Sequence, residues 1–320
     1  VHVVCLFILL VVNQNQWQKD SKVMKILDLF CGGGGASLGF KLAGHQIFGI
    51  DADQDAIALY QHNVGAGLCA DVTRLNPADF QGFDCLFASP PCQQWSAARD
   101  SSLPSRDDAE VGAVVVRWLE TLKPQIFLME NVPRYQNSES YRAIASCLSQ
   151  MGYLFDAMAI NMADFGIPQT RTRLILRAYR NSLLPPFPPP MRRRGWDEVL
   201  KDRLSLLPAT NLGTRQTESW IEAGQPDLAL IEHCGARSDR LPQIKLPGEP
   251  SWTIRASLTR SGDRYPIRAV VDAQGVKLGV KEMARLCTFP DDYDFGGYRA
   301  SVVGRILGNA VPPEFAKILV

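Results

Sequence analysis

The chain has 320 residues, 46% of them apolar, and its 34 basic and 33 acidic side chains leave a net charge of +1. That composition describes a soluble globular protein, large enough for one α/β domain or a large domain with a smaller partner. A balance so near zero means that any polyanion must be held by a local basic surface, not by the field of the whole molecule.

Residues 3–12 are apolar but too short to span a bilayer, and no basic segment precedes them, so no membrane association is expected. Met24 stands directly before the first convincing strand, and residues 1–24 read as a non-native or disordered extension. From there to 178, short β-rich runs alternate with helical spacing, the pattern of a doubly wound parallel sheet of Rossmann-like type. Strands are predicted at 25–30, 46–51, 84–88, 126–130, 155–160 and 173–178, with helices at 36–43, 55–62, 109–122 and 138–151. Gly44 and Gly152 serve as helix stops.

The proline-rich stretch 183–190 can neither join a central strand nor continue a helix, and it divides the chain. The predicted organisation is a catalytic and cofactor-binding domain at 25–180, a smaller irregular region at 181–262, and a return to the first domain at 263–320. The middle region interleaves Arg192, Arg193, Arg194, Arg215, Arg237, Arg240, Arg255 and Arg260 with Trp196, Trp220 and Trp252. Such a mixture suits phosphate contact and base stacking, and equally suits a solvated arginine face over core tryptophans. A helix at Val280–Leu286 and a last helix after Pro313 complete the order.

The eight cysteines form no C-x-x-C pair, so neither a disulfide scaffold nor a zinc site is expected, and a reducing, cytoplasmic setting is. The first strand turns through Gly32, Gly33, Gly34 and Gly35 into a helix, a turn shared by NAD, FAD and S-adenosylmethionine folds. Asp51 ends the second strand, 23 residues after Asp28, where a carboxylate would accept from ribose hydroxyls. Asp71, before Val72, would accept from an adenine amino group. Cys92 follows Pro90 and Pro91 just past a buried run, where a sheet of this kind places its ligands. A thiol with a pKa near 8.5 is mostly un-ionised at neutrality, so a nucleophilic Cys92 needs a positive neighbour, and Arg171 and Arg173 are the candidates. Glu130 ends another apolar run, in the place of an acid, although alone it could be an ion pair or a cap.

Taken together these residues identify the chain as similar to the cytosine-5 DNA methyltransferases that use S-adenosylmethionine. The resemblance runs from Lys25 to the end. Residues 28–40 resemble the family's cofactor motif, Ser89-Pro90-Pro91-Cys92-Gln93 its nucleophile motif, and Glu130-Asn131-Val132 its Glu-Asn-Val signature. Residues 169–173 are similar to its Gln-x-Arg-x-Arg, 282–293 to its penultimate motif and 308–313 to its last.

The resemblance implies that Cys92 adds to cytosine C6, that Glu130 holds the proton at N3, that Arg173 contacts O2, and that Arg171 orients Glu130 and Cys92. It implies cofactor contacts from Asp28, Phe30, Gly32, Gly34, Gly35, Asp51, Asp71, Val72, Pro91, Asn309, Ala310 and Val311, with the last helix packed beside the first strand. Gln93, Ser96, Asn131, Val132 and Gln169 would line the substrate. The base must be flipped out of its duplex, at a cost of roughly a few kcal/mol. The expected partner is duplex DNA, read by 181–262, with a cognate restriction endonuclease as a separate chain, and the enzyme is expected to act as a monomer.

Two departures stand out. Ala52 replaces an aromatic residue that would lie against the adenine, which would weaken cofactor affinity. Ser89-Pro90 replaces the commoner Gly-Phe, a change shared with the transfer-RNA branch of the family, so an RNA substrate is the alternative. Against it, that branch's Cys-Phe-Thr tripeptide is absent.

Overall fold

The computed structural model describes residues 23–91, 108–232, 240–256 and 267–320. Its main sheet has seven strands in the order β3-β2-β1-β4-β5-β7-β6. These are β1 (Lys25–Leu29), β2 (Gln46–Asp51), β3 (Gly67–Cys69), β4 (Cys85–Ala88), β5 (Ile126–Asn131), β6 (Leu154–Asn161) and β7 (Thr172–Tyr179). The predicted strands are all present, and β3 is an addition, three residues being too few to show a period.

Strands β1 to β5 are parallel, as expected, but β7 runs antiparallel to both β5 and β6. The cause is the connection between Asn161 and Thr172, which holds only a single 3₁₀ turn, Met162–Phe165. A parallel return needs a crossover of a dozen or more residues, normally through a helix.

Helices α1 (Gly35–Leu42), α2 (Gln54–Asn63), α3 (Asp108–Leu122) and α4 (Glu139–Gln150) connect the strands. Asp53 caps α2 through the N–H groups of Asp55 and Ala56, and Ser138 caps α4 through that of Tyr141. Gly44 and Gly152 take φ of 94° and 78° just past α1 and α4, the left-handed conformation a helix stop requires. One face of the sheet, with Leu86, Phe127, Met129 and Leu174, packs on Val115, Trp118 and Ile144 of α3 and α4. The other, with Ile26, Phe87, Leu128 and Ile175, packs on Phe40 of α1 and Phe315 of the last helix.

Past the proline stretch come α5 (Asp197–Leu204), α6 (Thr214–Glu222), β8 (Leu228–Glu232), β9 (Ile244–Lys245), β10 (Ile267–Val271) and β11 (Gln274–Lys277). The four strands form an antiparallel sheet, β11-β10-β8-β9. The middle of the chain is therefore more regular than its composition predicts. Its sheet also reaches Lys277, past the expected boundary at 262, because β10 pairs with β8 along its whole length.

Four of the arginines named above are committed to acids. Arg192 pairs with Glu198, Arg193 with Asp164 and Arg194 with Glu314, while Arg240 pairs with Glu232. Trp196 is fully buried, and the indole N–H groups of Trp220 and Trp252 donate to Pro226 and Gln243. Trp196 is thus a core residue, while Trp220 and Trp252 are half-buried. Arg255 is exposed, and Arg237 and Arg260 lie outside the described residues.

The chain closes with α7 (Val280–Leu286), α8 (Ala300–Asn309) and α9 (Pro313–Lys317). Helix α9 lies directly on α1: a Cβ on Gly39 would stand 2.3 Å from the Pro313 carbonyl oxygen. The last helix thus sits beside the first helix, and shares a hydrophobic cluster with Ile26 of the first strand.

Candidate active site

The polar residues gather where β1, β4 and β5 end. Parallel pairing sets Ala88 against Met129, so the next residues, Ser89 and Glu130, share one face of the sheet. Glu130 faces Ile175 across the antiparallel pair, and Arg173, two residues before Ile175, falls on the same face. The Glu130 carboxylate is buried, with Arg173 Nε 2.9 Å from Oε1 and the Ser89 hydroxyl donating to Oε2 at 2.6 Å.

Cys92, Gln93 and Ser96 lie outside the described residues. The segment leading to them is described: Pro90 is buried and Pro91 exposed. Asn131 Nδ2 donates to the Pro90 carbonyl at 3.0 Å, and its Oδ1 accepts from Val132 N at 2.8 Å. Expected to line the substrate, Asn131 is a buried brace between the end of β5 and the proline turn, and Val132 beside it is half-buried.

Two further residues of the set are buried. Gln169 is fully buried, its amide donating to the Leu286 carbonyl and Cys287 Sγ while its oxygen accepts from Ile254 N, so it clamps three segments together. Arg171, expected to orient Glu130 and Cys92, donates to the Ile254 and Gly308 carbonyls at 3.3 and 3.0 Å and is 1% exposed. The arginine that meets Glu130 is Arg173.

At the glycine turn the backbone is strained. Phe30 takes φ of 63°, unusual for a bulky side chain and costing on the order of 1 kcal/mol. Gly32 follows at φ 53° with open space where a Cβ would stand, and its N–H donates to Asp51 Oδ2 at 2.8 Å. The other glycines make room for the protein itself. A Cβ at Gly33 would meet Ile306 at 2.5 Å, at Gly34 Tyr60 and Val64 at 2.7 Å, and at Gly35 the Val311 carbonyl at 2.4 Å. Tyr293, whose hydroxyl donates to the Gly33 carbonyl, holds the turn from the far end of the sequence. Ala310 and Val311 stand against Gly35, with Asn309 exposed beside them.

Of the three acids, Asp51 ends β2, as expected, and Asp71 stands two residues past β3. Asp51 also accepts from Asp53 N, and Asp71 from the N–H and hydroxyl of Thr73. Val72 is buried, and its carbonyl accepts from Trp118 and Arg117. Asp28 differs, because it is buried between β1 and α1, where it accepts from the Ser37 hydroxyl at 2.6 Å, which in turn accepts from Tyr60. Its other oxygen has no hydrogen-bond partner.

Burial pushes the Asp28 carboxyl up from its ordinary 3.8 to about 7, with Ser37 opposing and Asp51 adding to the rise. Between pH 4 and 7 the folded chain keeps a proton that the unfolded chain has lost, so stability falls as pH climbs through that window, by roughly a few kcal/mol. Asp28→Asn removes this titration and is expected to flatten the pH dependence of the urea midpoint between pH 4 and 8. Parallel curves for parent and variant would rule out a buried proton at Asp28.

Residues 24–320 match the family described as C-5 cytosine-specific DNA methylase, and the chain belongs to that family. It is 28% identical over 304 residues to the Type II methyltransferase M.AplI of Arthrospira platensis, covering 92% of this chain and 84% of that one. It is 29% identical over 295 residues to the Type II methyltransferase M.NgoBI of Neisseria gonorrhoeae, covering 90% and 89%. In fold it is similar to a DNA modification methyltransferase encoded within an E. coli prophage, with a TM-score of 0.66 at 22% identity over 92% of this chain and 97% of that one. The S. pombe Dnmt2 methyltransferase gives 0.65 at 18% identity over 93% and 97%. Among the described residues no helix is long and apolar enough to cross a membrane, and no side-chain cluster could hold a metal ion.

Proposed function

We propose that the protein transfers a methyl group to C5 of a flipped-out cytosine in a specific duplex DNA sequence, as the modification half of a restriction–modification pair. The observation that carries this is the Glu130 carboxylate, buried and held by Ser89 and Arg173 beside the proline turn that leads into Cys92. The Cys92 thiolate adds to C6, which raises electron density at C5. Glu130 holds the proton at N3 that offsets this charge, and Arg173, already turned toward the Glu130 carboxylate, meets O2. After methyl transfer, loss of the C5 proton and of Cys92 restores the aromatic ring.

S-adenosylmethionine fits the other side of the site and supplies the electrophilic methyl group when bound. The turn at Gly32 leaves open space, Asp28 keeps a buried oxygen without a hydrogen-bond partner, and the Asp51 carboxylate has acceptor capacity beyond its two N–H donors. Phe30, Gly32, Asp51, Asp71, Val72 and Pro91 would hold it, closed over by Asn309, Ala310 and Val311. Residues 181–262, extended to Lys277 by the second sheet, read the target, and the enzyme acts as a cytoplasmic monomer.

The experiment is incubation with methyl-labelled cofactor and either duplex DNA or total transfer RNA. Label is expected in DNA, and label confined to RNA would overturn the choice of substrate.

A further inference from the structure

Ser89 is marked in the sequence only as a departure, standing where glycine is commoner among proteins of this type. In the structure its Oγ lies 2.6 Å from Glu130 Oε2 and 3.3 Å from the Glu130 backbone oxygen. The placement follows from the parallel register of β4 and β5 and would be lost with any slip between them. A serine hydroxyl carries one proton and two lone pairs, whereas a guanidinium can only donate. Arg173 stands 2.9 Å from Oε1 and can only donate there, so of the two groups at the carboxyl only the hydroxyl can also accept a hydrogen bond from it.

We infer that Ser89 is a positioning residue whose hydroxyl holds the Glu130 carboxyl in one place in both its ionised and its protonated state. With Glu130 ionised, the hydroxyl donates to Oε2. With a proton on Oε2, that O–H donates to the Ser89 oxygen, whose own proton turns to the Glu130 carbonyl. The side chain thus keeps one orientation in both states, and Oε1, the oxygen without a hydrogen bond, is left to exchange a proton with N3 of the base. This rests on the assignment of Glu130 as the acid, and it adds a partner that glycine at position 89 cannot supply.

The test is steady-state methylation of duplex DNA by Ser89→Ala and Ser89→Thr, each in the parent and in the Glu130→Ala background. Loss of one hydrogen bond to an ionised group predicts a kcat lower by roughly tenfold to a hundredfold in Ser89→Ala. KM for DNA and for S-adenosylmethionine should be unchanged, and Ser89→Thr, which keeps the hydroxyl, should recover most of the loss. In the Glu130→Ala background Ser89→Ala should cost nothing further, because the two groups act as a unit.

A parent-like kcat in Ser89→Ala overturns the inference. So does a loss shared by the threonine variant together with a fall in thermal midpoint, or a full additional loss on top of Glu130→Ala. If Glu130→Ala is itself as active as the parent, the role of Glu130 fails first, which separates that outcome from a failure of Ser89 alone.

Discussion

Glu130→Ala is expected to lower the rate of methyl transfer by roughly 10²–10⁴-fold, the usual contribution of a placed acid or base, while S-adenosylmethionine still binds. The size follows from the surroundings of the carboxyl. It is 4% exposed, so bulk water is poorly placed to substitute for it, and its removal leaves Arg173 Nε facing an empty position. The rate of addition at C6 then falls, because the charge pushed into the ring has no proton to meet it at N3. Cys92→Ala should go further and eliminate transfer, since among the described residues Cys31, Cys85, Cys147 and Cys287 are buried and poorly placed to attack a base. Single-turnover transfer of labelled methyl to duplex DNA measures both variants, and equilibrium binding of the cofactor provides the control. Substantial residual transfer by Cys92→Ala would disprove a covalent mechanism.

The elements that carry these groups are legible where local signals suffice. The apolar runs of β1, β2, β4 and β5 and the glycine stops of α1 and α4 stand out because period and punctuation are properties of neighbouring residues. The direction of β7 is not local, and depends on how little structure lies between Asn161 and Thr172. The second sheet is built from strands of two to five residues, too short for a pattern to emerge. The basic run at 192–194 shows the same limit. Its charges look free in sequence, but they meet Glu198, Asp164 and Glu314, two of which lie far away along the chain. At the site, Glu130 and Arg173 are legible as chemistry, whereas the roles of Ser89 and Asn131 depend on strand register and turn geometry.

The Gln-x-Arg-x-Arg segment divides its labour between two arginines, and the division has a measurable consequence. Arg171→Met is expected to cost roughly 2–6 kcal/mol of stability, because it leaves two buried carbonyls, of Ile254 and Gly308, without the donor that satisfies them. Met has nearly the length to fill the space but no N–H to offer. The loss is a large part of the 5–15 kcal/mol that holds a typical folded protein together. It also falls on a junction. Ile254 belongs to the segment paired with Gln169 and Thr170, and Gly308 sits in α8 just before the residues placed at the cofactor. Arg173→Met should behave differently, since its partner is Glu130, which keeps the Ser89 hydrogen bond: a smaller change in urea midpoint with a large fall in methyl transfer. Urea denaturation of both variants, with transfer assayed on the folded fraction, separates the roles. If Arg171→Met kept the parent midpoint and lost only transfer, Arg171 would be the residue that orients the acid and the nucleophile, and its bonds to Ile254 and Gly308 would be incidental to folding.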